Sequence, residues 1–309
     1  MAQQRTMDMK TARRTLTLFS KLPVGLYEFA LKQTRMPVPP KRLAESHEVL
    51  EETFNGVNYV WINKQNAANG VLIHAHGGGY TAGPFESMWD WLCALCDGTN
   101  TAGVLIDYRK AGGRPADTAP YPAAPDDLQT VTEHLAQAGH LQSRKWAIVG
   151  DSAGGGLTLI LCRRLLDKGD ISPACLIALS PFVNMALDNP ETPEFEKLDI
   201  SISRKLLLRG ISKYASDQDL KDPELSPLNG RVDDFPPVSL CVGTNEMFLP
   251  DIRAYKDKLM EAGVELDYHE EPGAIHVYPI IVNSDESRRA VQSQTKFLKH
   301  HLQLENTEG

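Results

Sequence analysis

Ala147-Ile-Val-Gly-Asp-Ser-Ala-Gly-Gly-Gly156 runs from an apolar, strand-like segment into a serine that has a glycine two residues to either side, Gly150 and Gly154. A serine on a sharp strand-to-helix turn leaves no room for side chains at those two positions. G-x-S-x-G therefore reads as a turn that projects Ser152 as a nucleophile. The five-residue pattern alone is common in chains of this length, so its meaning rests on its surroundings.

Those surroundings alternate. Strands are predicted at His47 to Thr53, Val57 to Asn63, Val71 to His76, Gly103 to Asp107, Lys145 to Gly150, Cys175 to Ser180, Val238 to Gly243 and Val264 to His269. Helices are predicted at Ser87 to Cys96, Pro125 to Gln137, Gly155 to Asp167, Asp251 to Ala262 and Ser284 to Leu304. From the third strand onward most strands are followed by a helix, which predicts an α/β fold with a mainly parallel central sheet covered on both faces. The first two strands have no helix between them and carry Asn55-Gly56 at their turn, so an antiparallel hairpin at one edge is expected.

Two segments stand outside this rhythm. Leu16, Phe19, Leu22, Leu26 and Phe29 or Ala30 recur at near-helical intervals, and Met36-Pro-Val-Pro-Pro40 then ends the run in an extended linker. Arg13 and Arg14 precede this stretch, but Lys21 and Pro23 interrupt it too early for a secretory signal. An insertion at about 184–228 holds Asp188-Asn-Pro-Glu-Thr-Pro193, a helix-like stretch from Ser203 to Ser216, and Asp222-Pro-Glu-Leu-Ser-Pro-Leu228. It is expected over the carboxyl ends of the strands, where ligands bind in open α/β folds. Residues 1–45 and this insertion would form a helical cap on a main domain of residues 46–309.

Composition narrows the function. Apolar residues make up 42% of the 309 and charged residues 23%, which is a globular rather than a disordered balance. The net charge of -8 and the lack of a concentrated basic face argue against nucleic acid as a partner. No apolar run is long enough to span a bilayer. The five cysteines, Cys93, Cys96, Cys162, Cys175 and Cys241, are odd in number and lie mostly in apolar runs, so reduced thiols in a cytoplasmic protein are expected. Cys93 and Cys96 form a C-x-x-C at helical spacing with no second pair, and read as packing residues. Whether the chain forms a homo-oligomer is left open by the sequence.

A second motif, His76-Gly-Gly-Gly-Tyr80, follows the strand Val71-Leu-Ile-His-Ala directly. Consecutive glycines at a strand end expose backbone N–H groups without side-chain obstruction, as binding an oxyanion requires. Gly78 and Gly79, with the N–H of Ala153, are the expected donors. His74 and His76 form an H-x-H on one strand face, but no third and fourth ligand is evident and no metal is expected.

Together, His76-Gly-Gly-Gly, Asp107-Tyr-Arg109, Tyr121-Pro-Ala123, Gly150-Asp-Ser-Ala-Gly154, Ser226-Pro-Leu228 and Ile275-His276 resemble the hormone-sensitive lipase-like branch of the α/β-hydrolases, in the right order over roughly residues 45 to 300. The resemblance implies an α/β-hydrolase fold with a cap. It also implies a serine carboxylesterase acting on small or medium acyl esters, without a cofactor. The segment from Lys110 to Pro120 is longer than the usual connection in that family. An amidase or deacylase with the same triad, or a non-catalytic ligand-binding protein on this fold, is the alternative.

The chain order serine, acid, histidine in that fold points to His276 as the base. It sits in Glu270-Glu-Pro-Gly-Ala-Ile-His276, read as a loop between the last strand and the last helix. The acid is sought in Gly243-Thr-Asn-Glu-Met-Phe-Leu-Pro-Asp251, which offers Glu246 and Asp251. Pro250 suits a first helical position, which gives Asp251 a role in the first helical turn. The family's acid-to-base spacing favours Glu246. Phe85, Met88, Trp89 and Phe182 are the expected substrate-binding residues.

Overall fold

A computed structural model describes residues 8–20, 34–112, 119–142, 144–169 and 171–304. The strands are β1 (Val49–Phe54), β2 (Val57–Ile62), β3 (Val71–Ala75), β4 (Ala102–Asp107), β5 (Trp146–Asp151), β6 (Cys175–Leu179), β7 (Val238–Asn245) and β8 (Leu266–Ile275). The helices are α1 (Met9–Ser20), α2 (Lys41–Ala44), α3 (Glu86–Thr99), α4 (Ala123–Gln137), α5 (Ala153–Lys168), α6 (Thr192–Glu196), α7 (Arg204–Ala215), α8 (Leu249–Glu261), α9 (Tyr278–Ile281) and α10 (Asp285–His301).

One eight-stranded sheet, ordered β1-β2-β4-β3-β5-β6-β7-β8, organises the molecule. The hairpin forms as expected, with β1 and β2 antiparallel and Asn55 and Gly56 both at positive φ, 48° and 80°. That is the turn whose twist matches the strands it joins. β2 meets β4 antiparallel, and from β4 to β8 every pairing is parallel.

Strand alternation divides the core into two layers. Val71, Ile73 and Ala75 of β3 and Trp146 and Ile148 of β5 pack in one cluster with Leu128 and Val131 of α4, Leu157 of α5 and Tyr255 of α8. Leu72 of β3 and Ala147 and Val149 of β5 face the other way, against Trp91 and Leu95 of α3 and Leu298 of α10. Both faces of the sheet are thus covered, which is why its strands read as nearly continuous apolar runs.

β3 and β5 are neighbours, with Ala75 opposite Gly150, while β4 lies on the far side of β3. The direction of strand addition therefore reverses between β3 and β5. Loops leaving the carboxyl ends of these two strands diverge and open a crevice, the usual ligand position in open α/β sheets.

The last strand departs from its sequence reading. β8 continues through Ile275, so Glu270 to Ile275 form a strand and not a loop. A register shift between Gly243 and Asn245, with Gly273 at φ 71°, lets β7 and β8 keep pairing beyond the body of the sheet, and Asn245 sits opposite Ile275. Bulges of this kind re-aim strand ends. In the N-terminal segment, α1 carries Leu16, whereas Leu22, Leu26, Phe29 and Ala30 of the expected helix lie outside the described residues. Residues 113–118 of the long connection after Arg109 lie outside them as well.

Candidate active site

Ser152 stands between β5 and α5 at φ 54° and ψ −121°, a strained conformation for a residue with a side chain. Its neighbours explain the two glycines. A Cβ on Gly150 would collide with the carbonyl oxygen of Gly154 and with Thr158 Oγ1, and one on Gly154 with the carbonyl oxygen of Ala75 and the backbone of His76. The turn is fastened by the Ser152 N–H donating to Leu179 O at 2.8 Å and by the Phe182 N–H donating to Ser152 O at 2.9 Å.

His276 immediately follows β8. Its Nε2 lies 2.8 Å from Ser152 Oγ and its Nδ1 lies 2.7 Å from Glu246 Oε2. Both His276 and Glu246 are buried. Glu246 immediately follows β7, and its other oxygen accepts the Gly243 N–H at 2.6 Å and the Ser180 hydroxyl at 2.8 Å. The bulge that lengthens β7 and β8 is what brings these two side chains together.

Asp251, the other acid considered, is engaged elsewhere. Its Oδ1 accepts from the side-chain amides of Asn184 and Asn189, both at 3.1 Å, in the first turn of α8. Burial raises its pKa, and these two amides oppose the rise.

Burial alone would lower the pKa of His276. The charge and hydrogen bond of Glu246, helped more remotely by Asp199 and Asp151, outweigh it and raise the pKa above the ordinary histidine value. An imidazole held this way is suited to take a proton from Ser152 and to persist as a cation.

A cavity of about 280 Å³ opens on Ser152 and His276. Gly78, Gly79 and Ala153 line it beside the serine, and Gly78 and Gly79 adopt positive φ of 120° and 59°. Phe85, Met88 and Phe182 also line it. Trp89 does not: its ring is fully buried one step round α3 from Met88, where Nε1 donates to Met36 O at 2.8 Å. Further wall is supplied by Leu16 of α1, by Ser201 and Ile202, by Leu206, Leu207 and Gly210 of α7, and by Phe248 and Ile280.

His74 and His76 are both fully buried, yet they do not converge on a common point. His74 Nε2 lies 3.3 Å from Asp151 Oδ1, while His76 Nδ1 lies 2.7 Å from Gly77 O and its ring stacks on Tyr108. Burial, with Lys110 nearby, holds His76 neutral by lowering its pKa well below the usual range. The Gly77 N–H donates to Asp151 Oδ1 at 3.0 Å, so the glycine loop is tied to the residue preceding Ser152. Among the described residues, a grouping with metal-ligand spacing occurs instead at Glu265, His300 and His301.

Two residues escaped the sequence reading. Ser180 immediately follows β6, and Asp199 lies in the insertion with its carboxylate on the Met247 N–H at 3.0 Å. The signal for Ser180 was a small polar residue closing an apolar strand. For Asp199 it was an aspartate two residues before a serine, as in an Asx turn.

Residues 72–280 match the model of a family described by its alpha/beta hydrolase fold. The chain belongs to the alpha/beta hydrolase fold family. An esterase of Acinetobacter venetianus is 30% identical to this hydrolase over 215 residues, 69% of each chain. An acetyl-hydrolase of Streptomyces hygroscopicus is 28% identical over 243 residues, 77% of this chain and 78% of the relative. Among solved structures, an esterase from the bacterial hormone-sensitive lipase family superposes with a TM-score of 0.82 at 24% identity, covering 98% of this hydrolase and 100% of that chain. Among the described residues, no helix of this hydrolase is long and apolar enough to cross a membrane.

Proposed function

We propose that this hydrolase cleaves carboxylic esters of small to medium acyl groups, with Ser152 as nucleophile, His276 as base and Glu246 as the acid. The observation that carries this reading is the unbroken line of hydrogen bonds from Ser152 Oγ through His276 to Glu246, opening on a mainly apolar cavity. Ester-cleaving relatives support it: besides the two above, an ethyl acetate hydrolase of Pseudomonas putida is 27% identical over 246 residues, 76% of this chain and 74% of its own.

His276 takes the Ser152 proton as Oγ attacks the ester carbonyl, and Glu246 stabilises the imidazolium that results. The oxyanion rests on the N–H groups of Gly78, Gly79 and Ala153. His276 then returns its proton to the leaving alkoxide, and water, activated by the same imidazole, hydrolyses the acyl-enzyme. The segments that carry Leu16 and Leu206 act as a cap that keeps the acyl chain from water. The chemistry requires no cofactor or metal. Five unpaired, buried cysteines support a reducing compartment such as the cytoplasm.

Ser152→Ala tests the proposal with p-nitrophenyl butyrate as substrate. Turnover and covalent labelling by a serine-directed phosphonate are both expected to vanish, and retained turnover overturns it.

A further inference from the structure

Asp199 is a buried carboxylate that belongs to the insertion between β6 and β7 rather than to the sheet. Its Oδ1 accepts the N–H groups of Ser201 at 2.7 Å and Ile202 at 2.9 Å, and both residues form part of the cavity wall. Its Oδ2 accepts the Met247 N–H at 3.0 Å, and Met247 is joined by one peptide bond to Glu246. One side chain thus fastens the wall the substrate meets to the backbone that carries the acid. We propose that Asp199 is a positioning residue for ester hydrolysis, coupling the Ser201–Ile202 wall of the cavity to the alignment of Glu246 and His276.

The inference rests on the triad reading above and adds a second, more distant carboxylate to it. Hydrogen bonds to three N–H groups suit an ionised acceptor better than a neutral one. Burial pulls the other way and lifts Asp199 to about 6; the charge of His276 and the N–H groups of Met247 and Ile202 oppose the rise, and Glu246 adds to it. Asp199 in turn favours the protonated form of His276. Besides Glu246 in contact and the more remote Asp151, the imidazolium formed when His276 accepts the Ser152 proton therefore feels a carboxylate tied to the cavity wall.

Asp199→Asn is the test, because an amide keeps the size but removes the charge and turns an N–H group toward one set of the backbone donors. Esterase kinetics on p-nitrophenyl acetate and hexanoate are expected to show a kcat loss of about tenfold for hexanoate and less for acetate, with protein that melts near the parent temperature. The acid limb of kcat/KM is expected to move to lower pH, by about half a unit, as His276 loses a stabilising charge. Asp199→Glu keeps the charge and should restore the limb while leaving the hexanoate defect. If rates for both esters and the limb stay within about twofold and a tenth of a unit of the parent, the proposal is overturned. It is overturned equally if Asp199→Asn and Asp199→Ser both fail to fold, since the role is then structural. Ser152→Ala separates the two levels: full turnover in that variant sinks the triad itself, whereas a dead Ser152→Ala beside a parent-like Asp199→Asn sinks this inference alone.

Discussion

Ser180 donates its hydroxyl to Glu246 Oε1 at 2.8 Å and accepts the Val277 N–H at 3.1 Å. One small side chain at the end of β6 therefore bridges the residue proposed as the acid and the backbone just after the residue proposed as the base. Ser180→Ala leaves a buried N–H unpaired, a cost of about 1 to 3 kcal/mol, and removes one donor from the carboxylate. Glu246 keeps the Gly243 N–H at 2.6 Å, so the acid stays partly held. We expect kcat for p-nitrophenyl butyrate to fall about tenfold with KM nearly unchanged, a smaller loss than removal of Glu246 causes. Steady-state kinetics on the purified variant decide it, and a parent-like kcat refutes the bridging role.

Glu246→Gln and Asp251→Asn should diverge. The first keeps the shape of the acid but no longer stabilises the imidazolium or fixes its tautomer, and a loss of about 10³-fold or more in kcat is expected. The second changes a carboxylate held by Asn184 and Asn189, away from His276, and should alter stability by about 1 kcal/mol while kcat stays within a few-fold. Parallel kinetics and thermal melts report both effects. The reverse pattern would make Asp251 the acid.

Much of this was legible because local chemistry and fold point the same way. The glycines around Ser152 and after His76 are demanded by close backbone approach, and such demands are visible in a single sequence. Strand order was not written there. Only the sheet shows that β3 and β5 are neighbours and that their loops flank one crevice. The lengthened β8 is hidden in the sequence because Pro272 and Gly273 are residues that favour loops, whereas here a bulge absorbs them. Asp199 and Ser180 were invisible for a simpler reason. Ser180 acts through Glu246 and Val277, and Asp199 reaches Met247 besides its neighbours Ser201 and Ile202; the fold alone supplies these distant partners.

The pH profile follows from the balance at His276. Acting as a base requires the neutral imidazole, and its pKa is raised by Glu246 against the effect of burial. Activity should therefore fall as pH drops, with the midpoint of kcat/KM above the ordinary histidine value of about 6.5. In stability the sign is opposite. A folded-state pKa above the unfolded one contributes stability that is full below the unfolded value and lost as pH rises through the folded value. A kcat/KM profile between pH 5 and 9 checks the first statement; a midpoint below about 6.5 contradicts it.

The cavity is expected to limit the acyl chain. At about 280 Å³ it lies near the small end of ligand pockets, and Ile202, Leu206 and Leu207 supply apolar surface beyond the serine. Activity across p-nitrophenyl esters should peak at butyryl to hexanoyl and fall steeply by decanoyl. Leu207→Ala, which removes an isopropyl group from the wall, should move the optimum toward longer chains. A decanoyl ester hydrolysed as fast as butyryl by the parent would show that the wall does not set the limit.

Gly154 and Gly79 make a contrasting pair. A methyl on Gly154 meets the carbonyl oxygen of Ala75 and the backbone of His76, rigid groups at the end of a central strand that cannot move aside without shifting β3. Gly154→Ala should therefore cost several kcal/mol, about 3 or more, and yield little soluble protein. A methyl on Gly79 meets nothing within 4 Å, and the penalty comes only from its φ of 59°. That left-handed strain costs about 1 to 2 kcal/mol, so Gly79→Ala should fold and unfold in urea only slightly earlier than the parent. Because this substitution keeps the Gly79 N–H, hydrolysis of p-nitrophenyl acetate should persist at a reduced rate. Equal destabilisation of the two variants would show that the collision with β3 is relieved cheaply and does not fix glycine at the turn after Ser152.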